Sequence, residues 1–176
     1  GAICSKTPED DQRIKSLRWF GLNRKYQGSK WEQDITESGF KYHMNNTNSI
    51  IGILQMNHVH DIVNGHKTNY HYYNENINNS RVTKMRVDPK SESACWIYTV
   101  LVKDREDFML HLAENGIASD PVHVRNDTYS VFKEFRKLDS DLPGAREFCS
   151  QHVNIPVGWW LSKEDREHIV QVVNRY

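Results

Sequence analysis

The stretch ACWIYTVLV, residues 94–102, is uncharged and almost wholly apolar. Val, Ile, Thr, Trp and Tyr suit a pleated surface that packs against neighbours. A near-continuous apolar run of this length reads as a buried strand. It is far too short to span a bilayer, as is SIIGIL at 49–54. A chain built around such a strand must cover it, and the residues downstream supply the cover. DREDFMLHLAENG predicts a helix with Asp104 as cap and Gly116 as stop. LPGAREFCSQH predicts another, and SKEDREHIVQVVNRY a final one with Ser162 as cap and acids in its first turn. Between them, IASDPVHV reads as a second strand, at an edge because Pro121 has no N–H for a ladder, and VNIPVG as a short extended piece. Strand, helix, strand, helix, helix is a compact α+β unit.

The first half is less complete. GAIC resembles the end of a strand. TPEDDQRIKSLRWFG follows as a helix, with Thr7 as cap, Pro8 at its first position, acids in its first turn and Gly21 as stop. Residues 22–38 read as loop. From Asn46 a long helix is predicted, with an apolar stripe of Ile50, Ile53, Leu54, Met56 and Val59, continuing in pieces to Ile77 with a break at Gly65. NINNSRVTK reads as loop. These elements do not make a self-contained fold, and the first residue is Gly rather than Met, so the expectation is that further chain precedes them. For that reason the lack of a leader peptide says nothing.

Charge and composition narrow the function. Lys and Arg number 23, Asp and Glu 23, so the formal net charge is zero and no basic face for nucleic acid or acidic lipid is expected. The three cysteines, Cys4, Cys95 and Cys149, form no CxxC pair and read as buried small hydrophobes in a reducing compartment, hence a cytoplasmic location. No histidine pair has the i, i+4 spacing of a helical zinc site: His58 and His60 are two apart, His66 and His71 five. No metal site is expected, and these histidines read as surface or packing residues. There is no Gly-rich phosphate loop and no GxSxG. Five tryptophans, two of them in GWWL, read as core and interface.

Two stretches carry more hydrogen-bonding groups than a core needs. One is GFKYHMNNTNSIIGIL, where Lys41, His43, Asn45 and Asn46 stand directly before the apolar helix. The other is GIASDPVHVRNDTYSVF, where the expected strand ends in His123, Arg125, Asn126 and Asp127. Arg offers a planar fork for phosphate or carboxylate, and His can donate to an oxyanion. Arg125 and Asp127 could equally form an ion pair with each other.

These stretches, in this order, resemble one family: the nucleotide-sugar aminotransferases of the DegT/DnrJ/StrS type, which depend on pyridoxal 5'-phosphate. GAICSKTPEDDQRIKSLRWFGLNR is similar to that family's Gly-Gly-apolar strand, short helix and R-x-F/H-G segment. GFKYHMNNTNSIIGILQM is similar to its G-Y-N-Y-R-M-T-D-x-x-A-A-x-G-L-x-Q-L block, with Lys41, His43 and Asn46 where Asn, Arg or Asn, and Asp are common. Ser49-Ile50 stands in place of its paired Ala. LAENGIASDPVHV resembles L-x-x-x-G-I-x-x-x-x-H/Y, LPGAREFCSQHVNIPV resembles L-P-x-A-E followed by L-x-L-P, and the last helix resembles the family's closing one.

The resemblance implies an α/β, aspartate-aminotransferase-like architecture, fold type I, of which this chain is a C-terminal portion. Residues 1–80 would be the end of the large cofactor-binding domain with a dimer-interface loop and helix, and residues 81–176 the small α+β domain. It also implies why polar residues precede the apolar helix. In the family that loop crosses a homodimer interface to the neighbouring subunit's cofactor phosphate, while the helix packs in the dimer core. Lys41, His43, Asn45 and Asn46 are then the cofactor-binding candidates, and His123 and Arg125 the substrate-binding ones. No catalytic residue is expected in this chain, because the family's Schiff-base lysine lies shortly before the GAIC strand. Lys6, in a polar turn past the strand, would be a poor substitute. The implied reaction moves an amino group, typically from glutamate, to a keto-sugar on a nucleotide. Relatives with His in place of the lysine act as sugar dehydratases, and a non-catalytic binding or oligomerisation domain is the remaining alternative.

Overall fold

The computed structural model describes residues 3–29, 32–136 and 141–176. Two compact units divide the chain, Gly1–Asn57 and His58–Tyr176. The division falls after Asn57, and the helix that follows packs with the C-terminal unit.

In the first unit, α1 spans Pro8–Leu17. The Thr7 hydroxyl accepts from the Asp10 N–H at 3.1 Å, and Glu9, Asp10 and Asp11 sit against the positive end of the helix. Gly21, at φ +78°, takes the left-handed turn that follows. The expected GAIC strand falls partly outside the described residues, and Ile3 and Cys4 are not in a strand. α2 spans Asn46–Met56 and is capped by Asn45, whose side chain accepts from the Asn48 N–H at 2.8 Å. None of its residues is buried.

In the second unit, α3 spans Val59–Asn76. The long helix therefore breaks at Asn57–His58, and not at Gly65, which lies inside α3. A Cβ on Gly65 would sit 2.8 Å from the Trp159 Cβ, so glycine there serves packing against the 158–161 turn. Next come β1 (Thr83–Lys84), β2 (Tyr98–Leu101) and α4 (Arg105–Glu114). Two 3-10 turns, Asn126–Thr128 and Ser130–Phe135, precede α5 (Pro143–Gln151), β3 (His152–Ile155) and α6 (Lys163–Arg175). β1 lies in a segment read as loop.

The sheet runs β1-β2-β3, antiparallel throughout, with Thr83 opposite Leu101 and Tyr98 opposite Ile155. The second long strand is thus VNIP-proximal β3. The segment 117–124, expected as a strand, makes only one bridge, Asp120 with Asn154. β2 is also narrower than expected: Tyr98 and Val100 are buried, while Thr99 and Leu101 are half-buried and Trp96 lies exposed before it. Tyr73, Val100, Phe108, Leu112, Val153, Val172 and Val173 are fully buried and form the centre of the core. Tyr73 and Tyr98 enter it with their hydroxyls satisfied, donating to Pro156 O at 2.7 Å and Asn74 Oδ1 at 2.8 Å. At the end of the chain, Ser162 and Asp165 exchange the two bonds of a capping box. Trp159 and Trp160 are exposed, so of the two places expected for GWWL, core and interface, they are not in the core. Among the cysteines, all free, Cys95 alone is buried; Cys149 is half-buried and Cys4 exposed.

Candidate functional site

In the first unit the polar loop is held by a short two-stranded contact. Phe40 N donates to Leu17 O at 2.6 Å, Phe20 N to Phe40 O at 3.0 Å, and Tyr42 N to Arg18 O at 2.9 Å. Trp19 and Lys41 form the bridge between them. Two glycines permit the approach. At Gly39 a Cβ would meet Gly21 N at 2.0 Å, and at Gly21 it would meet Glu37 O at 2.2 Å. Arg13 ties α1 to the same loop through two hydrogen bonds to Glu37, at 3.0 and 2.5 Å, and that pairing holds the Glu37 carboxyl below its usual range.

On this frame Lys41 is exposed, and His43 is half-buried with its ring edge-on to Trp19 at 4.4 Å. The His43 Nδ1 is buried and makes no hydrogen bond. An unsatisfied buried nitrogen costs about 1–3 kcal/mol, so this atom asks for a partner. Asn45 spends its side-chain oxygen on capping α2, and Asn46 is that helix's first residue. No acid occupies the first turn of α2, so its N–H groups and positive dipole end are not offset there. An ammonium, an orphaned imidazole nitrogen and a helix N-terminus form a donor set suited to a phosphate. Behind them, Ile50, Ile51, Ile53, Leu54 and Met56 each leave more than half of their surface exposed, giving α2 an apolar face.

In the second unit, Arg125 and Asp127 do pair with each other. The guanidinium donates to both carboxylate oxygens, at 3.0 and 2.7 Å, with side chains only 13% and 15% exposed. Arg136 donates to Asp127 O at 2.9 Å and Thr128 O at 3.1 Å, so the whole turn 125–136 is bonded to itself. His123 is exposed, with its ring 6.0 Å from that of His152 and 6.4 Å from that of Phe148. His152 and Cys149, which no local motif marks, lie against its main chain: His123 N donates to His152 Nε2 at 3.1 Å, and the Cys149 thiol lies 3.5 Å from His123 O. Burial pushes the His152 imidazole below its ordinary value. Among the described residues no cluster of three His, Cys, Asp or Glu could hold a metal ion, and no helix is long and apolar enough to cross a membrane.

Residues 1–174 match the DegT/DnrJ/EryC1/StrS aminotransferase family. The chain belongs to that family. The dTDP-3-amino-3,6-dideoxy-alpha-D-galactopyranose transaminase of Aneurinibacillus thermoaerophilus is 25% identical over all of this chain and 46% of its own length. Among solved structures, the sugar aminotransferase CalS13 of Micromonospora echinospora superposes with a TM-score of 0.87 at 31% identity, over 96% of this chain and 46% of that one. AtS13 of Actinomadura melliaura gives 0.87 at 29% identity, over 97% and 45%. The fold is therefore the α/β, aspartate-aminotransferase-like one. As the reading of a C-terminal portion expects, the chain spans about half the length of these family members.

Proposed function

We propose that this chain is the C-terminal portion of an aminotransferase that uses pyridoxal 5'-phosphate to transfer an amino group from an amino-acid donor to a keto-sugar carried on a nucleotide. The observation that carries the reading is the orphaned His43 nitrogen beside Lys41 and the α2 N-terminus, in a chain that matches a sugar-aminotransferase family along its length. When bound, the cofactor supplies the electron sink that lets nitrogen move between carbon skeletons. The chain's own residues bind and orient. Lys41 Nζ and His43 Nδ1 donate to the cofactor phosphate, and Asn45 and Asn46 present the α2 amides to it. His123 and Arg125 serve the substrate, with Arg125 kept in place by Asp127. The lysine that carries the cofactor lies outside this chain, which by itself is inactive. Residues 1–80 close the large domain and residues 81–176 form the small one.

The exposed face of α2 supports a homodimer in which the 39–46 loop serves the neighbouring subunit's site. Its apolar residues then leave water on association. The experiment uses the complete enzyme. A charged hydrogen bond to phosphate is worth about 1.5–3 kcal/mol, so Lys41→Ala lowers cofactor affinity about ten- to a hundredfold, and excess cofactor partly restores activity. Mixing Lys41→Ala with a variant lacking the cofactor-carrying lysine tests the exchange between subunits. If the loop acts across the interface, one site of each hybrid dimer holds both intact groups and activity returns. Hybrids that stay inactive, or full activity of Lys41→Ala at limiting cofactor, refute the assignment.

A further inference from the structure

His123 sits in no strand, yet its main chain is held at both ends by the corner where α5 meets β3. Its N–H donates to His152 Nε2 at 3.1 Å, and its carbonyl faces the Cys149 thiol at 3.5 Å. His152 is 1% exposed. Its other ring nitrogen, Nδ1, lies 3.0 Å from the Phe148 carbonyl. A carbonyl only accepts, so Nδ1 carries the proton. Nε2 is then left with the lone pair that the His123 N–H requires. The opposite neutral tautomer satisfies neither contact, and the imidazolium loses the one to His123.

The surroundings fix this ring. It stacks on Phe148 with centroids 4.6 Å apart and planes 5° from parallel. Arg105 holds the corner from another side by donating to Cys149 O at 2.7 Å. Three residues before His123, Asp120 exchanges main-chain hydrogen bonds with Asn154 of β3, at 3.3 and 3.0 Å. Segment 120–123 is thereby tied to the end of the sheet at two points, and the exposed His123 side chain keeps its ring 6.0 Å from the His152 ring and 6.4 Å from the Phe148 ring.

We propose that His152 is a positioning residue: it fixes the main chain of His123 and, through it, the direction from which the His123 side chain meets the nucleotide-sugar substrate. This rests on the proposed substrate role of His123. The anchor itself is read on the chain as it stands, labelled with nitrogen-15, without turnover. The expected spectrum shows His152 protonated on Nδ1 and a slowly exchanging His123 amide. His152→Leu speeds exchange of that amide by about three- to tenfold, the share of one hydrogen bond. His152→Gln, whose amide both donates and accepts, restores it, and the amides of the β2–β3 ladder report whether the fold is kept. A proton on Nε2 in the unaltered chain overturns the proposal even if the leucine variant fails to fold, and so does unchanged His123 exchange in that variant. In the complete enzyme His152→Leu raises KM for the nucleotide sugar with kcat little altered, and His152→Gln restores it; a change in kcat alone refutes positioning. If His123→Ala leaves KM unchanged, the substrate role of His123 falls, while the tautomer and exchange results still decide the anchor.

Discussion

Two glycines thirteen residues apart should respond to alanine with opposite signs. At Gly39 the added Cβ would lie 2.0 Å from Gly21 N, 2.5 Å from Phe20 C and 2.8 Å from Leu17 O. All three are main-chain atoms, and none can swing aside as a side chain would. The 39–42 segment has to part from residues 17–20, which breaks the hydrogen bonds from Phe40 N, Phe20 N and Tyr42 N. At about 0.5–1.5 kcal/mol each, the loss is roughly 2–4 kcal/mol. Gly52, mid-way along α2, has nothing within 4 Å of its would-be Cβ. Alanine there removes the entropic cost of a helical glycine and gains about 0.5–1 kcal/mol. Hydrogen exchange on the chain resolves both. Gly39→Ala should speed exchange of the Phe40 and Tyr42 amides by roughly thirtyfold or more, and Gly52→Ala should slow it along α2. In the complete enzyme Gly39→Ala should also release cofactor more readily, because Lys41 and His43 lose their frame. Unchanged protection of Phe40 and Tyr42 in Gly39→Ala would refute the claim that this close approach holds the loop.

Acid should weaken the second unit through His152. Its folded-state value lies below that of a free imidazole, mainly because it is buried, with the charges of His123 and Arg105 opposing protonation further. Below about pH 6.5 the unfolded chain takes up a proton that the folded one resists, so stability falls as pH drops through that range and is level above it. His152→Gln should flatten that part of a urea-midpoint-versus-pH curve. Leu112→Ala, at a fully buried position, should cost about 2–5 kcal/mol in urea unfolding; a cost below 1 kcal/mol would mean the core relaxes around the gap.

Local chemistry made part of this legible. Thr7 and the Ser162–Asp165 box announce helix starts because a cap is a contact over three residues. What depends on distant residues was not visible. Gly65 looks like a break, but its role is set by Trp159, brought against it by the fold. DPVHV has strand-like residues and reaches the outer edge of β3, yet after the one bridge between Asp120 and Asn154 comes Pro121, which has no N–H to continue a ladder. The donors of the 41–46 loop could be picked out by type and order. The anchor from His152 could not, since it acts across 29 residues and on a main-chain atom.

That last contact bears on how such a site diverges. Both groups that grip residue 123 hold its peptide N–H and carbonyl, which every amino acid except proline carries alike. A replacement at this position therefore inherits the same backbone path, and only the chemistry at its tip changes. Selection can exchange one side chain for another here, one codon at a time, while the corner beneath stays as it is. Substitutions at residue 149 or 152 would move the perch itself and take every occupant of position 123 with it.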